Sequence, residues 1–294
     1  MAIEEVSVAS GDGHVARLRV HRAGAAAPGL LWLPALGVPA GKYDAFGQAL
    51  AAQGVNCAVH EWRGNASSSL RARRGSDWGY RELLQQDLPA SIDALSPGDW
   101  YFGGHSLGGQ FAAMAAARQP GHCRGLVLAA TGVPDARTFS GRPRWGIALF
   151  ARVIPVVTAL AGYYPGRRLN FAGQEAARLM RDWAATARDG RYRDYGDGEA
   201  MDAKLARLAL PSLGLRFSRD WLVPSLGFLA SQRNRAKVRS WFRKLDEGQN
   251  REQGREMLER EPLAGSALYA FTLPARAGNS RAVHLDPADP IGKV

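Results

Sequence analysis

The sequence predicts an α/β protein: a mostly parallel eight-stranded sheet flanked by helices, with a helical segment inserted between two strands. Three observations predict it. Short β-branched or apolar runs alternate with longer helical patterns in the first half of the chain, the alternation stops after Asp135, and a strand pattern resumes at Leu213. The strand-like runs are Glu5–Ala9, Val15–His21, Gly29–Pro34, Asn56–Trp62, Trp100–Gly104, Gly125–Ala130, Leu213–Ser218 and Leu268–Leu273. Helical periodicity falls at Tyr43–Gln53, Tyr80–Leu95, Leu107–Gln119 and Leu222–Gln232. Residues 1–135 and 209–294 are therefore expected to build the sheet domain, and 136–208 an inserted helical cap. A second, basic helical stretch runs from Arg233 to Glu261.

With 294 residues, 46% of them hydrophobic and 22% charged, the chain can bury a large core, which excludes a disordered chain and a collagen-like repeat. Its two cysteines, Cys57 and Cys123, exclude a disulfide scaffold and suit a reducing compartment. The first thirty residues carry Glu4, Glu5, Asp12 and Arg17 with no apolar core of a secretory signal, so the cytoplasm is expected. Gly146–Gly162 is an apolar run of 17 residues interrupted by Arg152 and Pro155. A span needs about 20 clean apolar residues, so this run reads as a buried or lid helix without stable membrane insertion. The net charge of +11 raises the possibility of nucleic-acid binding. Only five of the 38 basic residues are lysine, the charge is spread along the chain, and no nucleic-acid-binding signature accompanies it. A basic surface without a nucleic-acid partner is the expectation.

The sharpest motif is Gly104-His105-Ser106-Leu107-Gly108, placed between a strand and an Ala-rich helix. A serine at a tight strand-to-helix turn is held in a strained conformation, with its hydroxyl projecting over the sheet edge. There the Leu107 amide, at a helix N-terminus, is placed to donate to a developing oxyanion.

Together with two further motifs, this turn resembles the α/β-hydrolase superfamily, and within it the capped serine hydrolases labelled serine-aminopeptidase-like. Leu33-Pro34-Ala35-Leu36-Gly37 occupies the place of the family's His-Gly oxyanion loop. Trp62-Arg63-Gly64-Asn65-Ala66-Ser67 looks like its Asp-x-Arg-Gly-x-Gly-x-Ser turn, with Glu61 in the acidic slot and Ala66 replacing a glycine. The segments Gly162-Tyr163-Tyr164-Pro165-Gly166-Arg167-Arg168 and Arg181-Asp182-Trp183 are similar to the cap of a bacterial subgroup.

The resemblance implies Leu36 as the second main-chain oxyanion donor beside Leu107; an ordinary strand-end turn accounts for Pro34–Gly37 equally. It implies Asp220 as the acid, in an Asp-x-x-Val-Pro match, over the rival Asp135; helix capping is the other role open to Asp220. Only His122 and His284 follow Ser106, and His122 lies at the far end of the nucleophile helix, so the order Ser–Asp–His leaves His284 as base. Val283 stands where the family has glycine, and the interval from Asp220 to His284 is longer than usual.

A lid of this kind covers the nucleophile in relatives, and its apolar residues favour a hydrophobic ester or thioester. His105, Tyr163 and Tyr164 are candidate pocket residues. The expected activity is a serine hydrolase working through an acyl-enzyme, with no cofactor and no metal. Two alternatives remain: an inactive small-molecule binder that keeps the fold, and an acyltransferase using the same triad. Arg233–Glu261 reads as a solvated helix before a membrane-surface one.

Overall fold

The computed structural model describes residues 3–139, 141–217 and 268–273; Asp220, His284, Leu222–Gln232 and Arg233–Glu261 lie outside them. Eight strands form one sheet: β1 (Glu4–Ala9), β2 (Val15–His21), β3 (Gly29–Leu33), β4 (Asn56–Val59), β5 (Trp100–His105), β6 (Leu126–Ala129), β9 (Ser212–Phe217) and β10 (Leu268–Leu273). Their spatial order is β1-β2-β4-β3-β5-β6-β9-β10. The pairings β1–β2 and β2–β4 are antiparallel, and all the others are parallel.

Burial follows position in the sheet. Every residue of β3 and β4 is buried, as expected of central parallel strands covered on both faces. In β2, Val15, Arg17 and Arg19 alternate with the buried Ala16, Leu18 and Val20, so one face packs inward and the other stays near solvent. Helices α1 (Asp44–Ala52), α2 (Tyr80–Glu82) and α3 (Leu88–Asp93) flank this half of the sheet; α2 and α3 are joined by one π-helical stretch, Leu83–Asp87. Helix α4 (Leu107–Arg118) carries Leu107 to Ala116 buried, so it runs through the core next to β5.

Between β6 and β9 the chain forms α5 (Gly141–Ala161), a short hairpin of β7 (Tyr163–Pro165) with β8 (Gln174–Ala176), α6 (Gly166–Leu169) inside that hairpin, α7 (Ala177–Asp189) and α8 (Met201–Ala206). The hairpin departs from the all-helical pattern expected for this segment. In α7, Leu179, Met180, Trp183, Ala184 and Ala187 recur at helical spacing and are buried. Helices α5 and α7 pack on each other, with Phe150 against Trp183 at 5.8 Å between ring centres.

Candidate active site

Ser106 sits between β5 and α4 at φ 55 and ψ −117, a region glycine normally occupies. Such a backbone costs about 1–3 kcal/mol in a non-glycine residue and persists only where its surroundings fix it. Here the Ser106 amide donates to the Ala129 carbonyl of β6 (2.9 Å), and the Ser106 carbonyl accepts from the Gly109 amide (3.1 Å). The side chain is half-buried, so it is reachable, and it stands at the positive end of the α4 dipole. Gly108 makes the turn possible. A Cβ there would lie 2.0 Å from the Leu33 carbonyl oxygen and 2.5 Å from that of Pro34, so only glycine lets α4 start against the loop after β3.

That loop is braced from three sides. The Ala35 amide donates to the Tyr43 hydroxyl (3.0 Å), and the Trp62 indole donates to the Pro34 carbonyl (2.8 Å). The Val38 amide closes a turn on Ala35 (3.1 Å). Because Tyr43 accepts from Ala35, its single proton is free to go to His105 Nδ1, 3.0 Å away. Tyr43 thus ties the loop to the last residue of β5, directly before Ser106. Leu36 and Leu107 line one small cavity together with Gly37, Trp62 and Glu175; Ser106 is not among its lining residues. The bracing roles of Tyr43 and Trp62 leave no local signal in the sequence, because their partners are 62 and 28 residues away. Tyr43→Phe removes the bridge while keeping the ring, and is expected to lower kcat about 10- to 100-fold through misplacement of the loop, with a small change in KM. Steady-state kinetics on a soluble ester checks this; unchanged kcat would show the loop holds without it.

The hairpin between α5 and α7 closes over the same loop. Gly37, at φ 73, lies so near Gly173 that a Cβ would be 2.2 Å from its amide nitrogen. Glu175 of β8 is buried, and its carboxylate accepts from the Gly173 amide at 2.9 Å. Burial pushes its pKa up to about 7, against the smaller pull of that hydrogen bond and of Arg167. A carboxyl with a raised folded pKa is stabilising while protonated and becomes a burden as it ionises, so stability falls as pH rises from 4.5 towards 7. Glu175→Gln keeps the acceptor and removes the charge. It is expected to stabilise the protein by about 2–3 kcal/mol at pH 8 and to leave it unchanged near pH 4. Thermal unfolding at both pH values reads this, and equal shifts at both would refute the assignment.

Tyr164 is completely buried, with its ring 6.2 Å from that of Phe150 and its hydroxyl without a hydrogen-bond partner among the described residues. It is a packing residue in this conformation, whereas Tyr163 is half-buried. Asp135 caps the 136–138 turn, accepting from the Arg137 amide (2.9 Å) and pairing with the Arg137 guanidinium (2.8 Å). Its carboxylate is engaged locally. Asp220 and His284 lie outside the described residues. Among the described residues no group of three or more His, Cys, Asp or Glu is arranged to hold a metal. Cys57 and Cys123 are buried free thiols, raised by burial to about 12 and about 11, which leaves them unreactive near neutrality.

Away from Ser106, a serine, a histidine and an aspartate meet among the described residues. His14 places Nε2 3.0 Å from Ser68 Oγ and Nδ1 3.3 Å from Asp87, and all three residues are buried. Ser68 Oγ also accepts from the amides of Gly64 (2.9 Å) and Leu70 (3.1 Å), so it is committed to holding a turn. Asp87 receives Ser10 Oγ (2.8 Å) and a two-point contact from Arg63 (2.5 and 2.9 Å). This array knits the Trp62–Ser67 turn to the β1–β2 hairpin. It is a structural network, distinguished from Ser106 by saturation of the hydroxyl and ordinary backbone geometry.

Residues 33–232 match the α/β hydrolase fold family, and the chain belongs to it. Asp220 falls within the matched residues and His284 beyond them. In fold, the chain is similar to a hydrolase from Pseudomonas aeruginosa PA01, with TM-score 0.54, 19% identity, and 92% of this chain and 91% of that one covered. It is also similar to a structure from work on carboxylesterases of the thaumarchaeon Nitrososphaera gargenis (TM-score 0.55, 13% identity, 92% and 90% covered). A thioesterase domain from the curacin biosynthetic pathway shares the fold too (TM-score 0.51, 15% identity, 93% and 94% covered). A separate likeness joins 44 residues, at 59% identity, to a GTP pyrophosphokinase of Photobacterium angustum. It spans 15% of this chain and 6% of that enzyme, a fragment that carries no activity across.

Proposed function

We propose that the protein is a serine hydrolase that cleaves a carboxylic ester or thioester bearing a hydrophobic acyl group. The observation that carries this is the strained, reachable Ser106 at the N-terminus of α4, set against the braced loop after β3. In this reading Ser106 Oγ attacks the carbonyl carbon and passes its proton to His284, which Asp220 orients. The amides of Leu36 and Leu107 hold the oxyanion, the alcohol or thiol leaves with the proton, and water resolves the acyl-enzyme. The segment between β6 and β9 acts as a cap, and His105 and Tyr163 border the acyl site. The carboxylesterase and thioesterase among the structures of like fold agree with this chemistry. A panel of p-nitrophenyl esters from acetate to palmitate, with matching acyl-thioesters, tests the reading. Turnover that rises with acyl length supports it; no turnover of any member by folded protein favours a binder that keeps the fold. His284→Ala and Asp220→Ala test the base and acid in the same assay, and retained kcat in either reassigns that role.

A further inference from the structure

Helix α5 presents two opposite faces. Ala151, Ile154 and Thr158 are buried on one side, where the helix meets α7. Trp145, Leu149, Val153, Val156 and Leu160 stand on the other and are between 42% and 74% exposed. Their spacing of four, four, three and four residues makes one continuous stripe along the helix. A solvated helix normally turns polar side chains outward, so five large apolar groups in line mark a contact surface.

The charge around the stripe points to what it contacts. Between Asp135 and Glu175 the chain holds six arginines and not one Asp or Glu. Arg142 falls in line with the stripe at its N-terminal end and Arg152 along its flank, both exposed. Arg74, also exposed, donates to the Leu160 carbonyl at the other end (2.5 Å), and Arg167, Arg168 and the 48%-exposed Leu169 follow. An apolar stripe ending in a tryptophan and bordered by arginines is the arrangement that lies in a lipid interface, with the apolar side among acyl chains and the guanidinium groups at phosphates. By length and composition this helix is also long and apolar enough to cross a bilayer. Crossing is disfavoured because one face is packed on α7 and Arg152 and Pro155 fall within it. Of the two readings the sequence offered, a buried or a lid helix, the first is corrected: only 22% of its most apolar stretch is buried.

We infer that α5 is a docking surface for an anionic lipid bilayer, lying in the plane of the interface and bringing the hairpin that closes over Gly37 to the membrane. The inference stands apart from the catalytic reading, since it needs no turnover. Two copies pairing through this face would bring arginines against arginines, which argues against a dimer.

The full chain is co-sedimented with vesicles of phosphatidylcholine containing phosphatidylglycerol, and with vesicles of phosphatidylcholine alone, at low and moderate salt. Binding at least about tenfold stronger to the anionic vesicles is expected, weakening with salt. Leu149→Asp with Val156→Asp, and separately Arg142→Gln with Arg152→Gln, should each weaken it about tenfold or more. Exposed positions make both pairs compatible with folding, which circular dichroism checks. Absence of parent binding overturns the inference, as does equal binding to neutral vesicles or undiminished binding by the Leu149/Val156 variant. A parent that runs as a dimer and is made monomeric by the apolar substitutions overturns it in favour of a second copy.

Discussion

Alanine at position 106 is expected to abolish ester turnover, lowering kcat by about 10^4- to 10^6-fold while the protein stays folded. In the proposed mechanism the effect is large because the nucleophile forms the covalent intermediate, and what remains would come from binding and oxyanion stabilisation alone. Glycine at the same position separates chemistry from strain. Ser106→Gly loses the same activity, yet glycine takes φ 55 without steric cost, so the variant should be more stable than the parent by about 1 kcal/mol. A less stable glycine variant would mean that the turn stores no strain.

The largest stability effect is expected beneath the site, in the Arg63–Asp87 network. Asp87→Ala leaves Arg63 buried with the more exposed Asp12 as its one acidic partner among the described residues, and should cost about 3–5 kcal/mol, read by urea unfolding. Replacing both Arg63 and Asp87 with apolar residues of similar volume should return much of that loss, because the penalty lies in the stranded charge. A double variant as weak as the single would show that packing around the turn, and not charge, is at issue. The pH dependence carries the same signature. Burial acts to raise the Asp87 carboxyl, but hydrogen bonds from Arg63 and His14 outweigh it and hold it down to about 2. Its contribution is present above pH 3.8 and is lost as pH falls towards 2. Buried His60, lowered by desolvation to about 4, adds a loss of stability as pH falls from 6.5 to 4.

The sheet was legible because period-2 and unbroken apolar runs are local signals, and no strand limit differs from its expected position by more than three residues. The elbow was legible because serine between two close-packed glycines, ahead of an Ala-rich helix, has few other uses. What was missed depends on distance along the chain. Ser68 and Asp87 meet His14 across 54 and 73 positions, and Tyr43 meets His105 across 62, separations that leave no pattern in any window. The hairpin Tyr163–Pro165 with Gln174–Ala176 has strands of three residues, too short for periodicity to register. Helix α5 was recognised as a helix, but apolar residues on both faces give the same sequence whether the second face is core or exposed.

Whether Ser106 is an activated nucleophile is read by active-site titration. The full chain is treated with a fluorophosphonate, its intact mass measured, and the modified peptide sequenced by tandem mass spectrometry. One phosphonyl adduct per chain, on Ser106 and absent from Ser106→Ala, is the predicted result. An unmodified folded parent, or an adduct confined to another residue, would contradict the account.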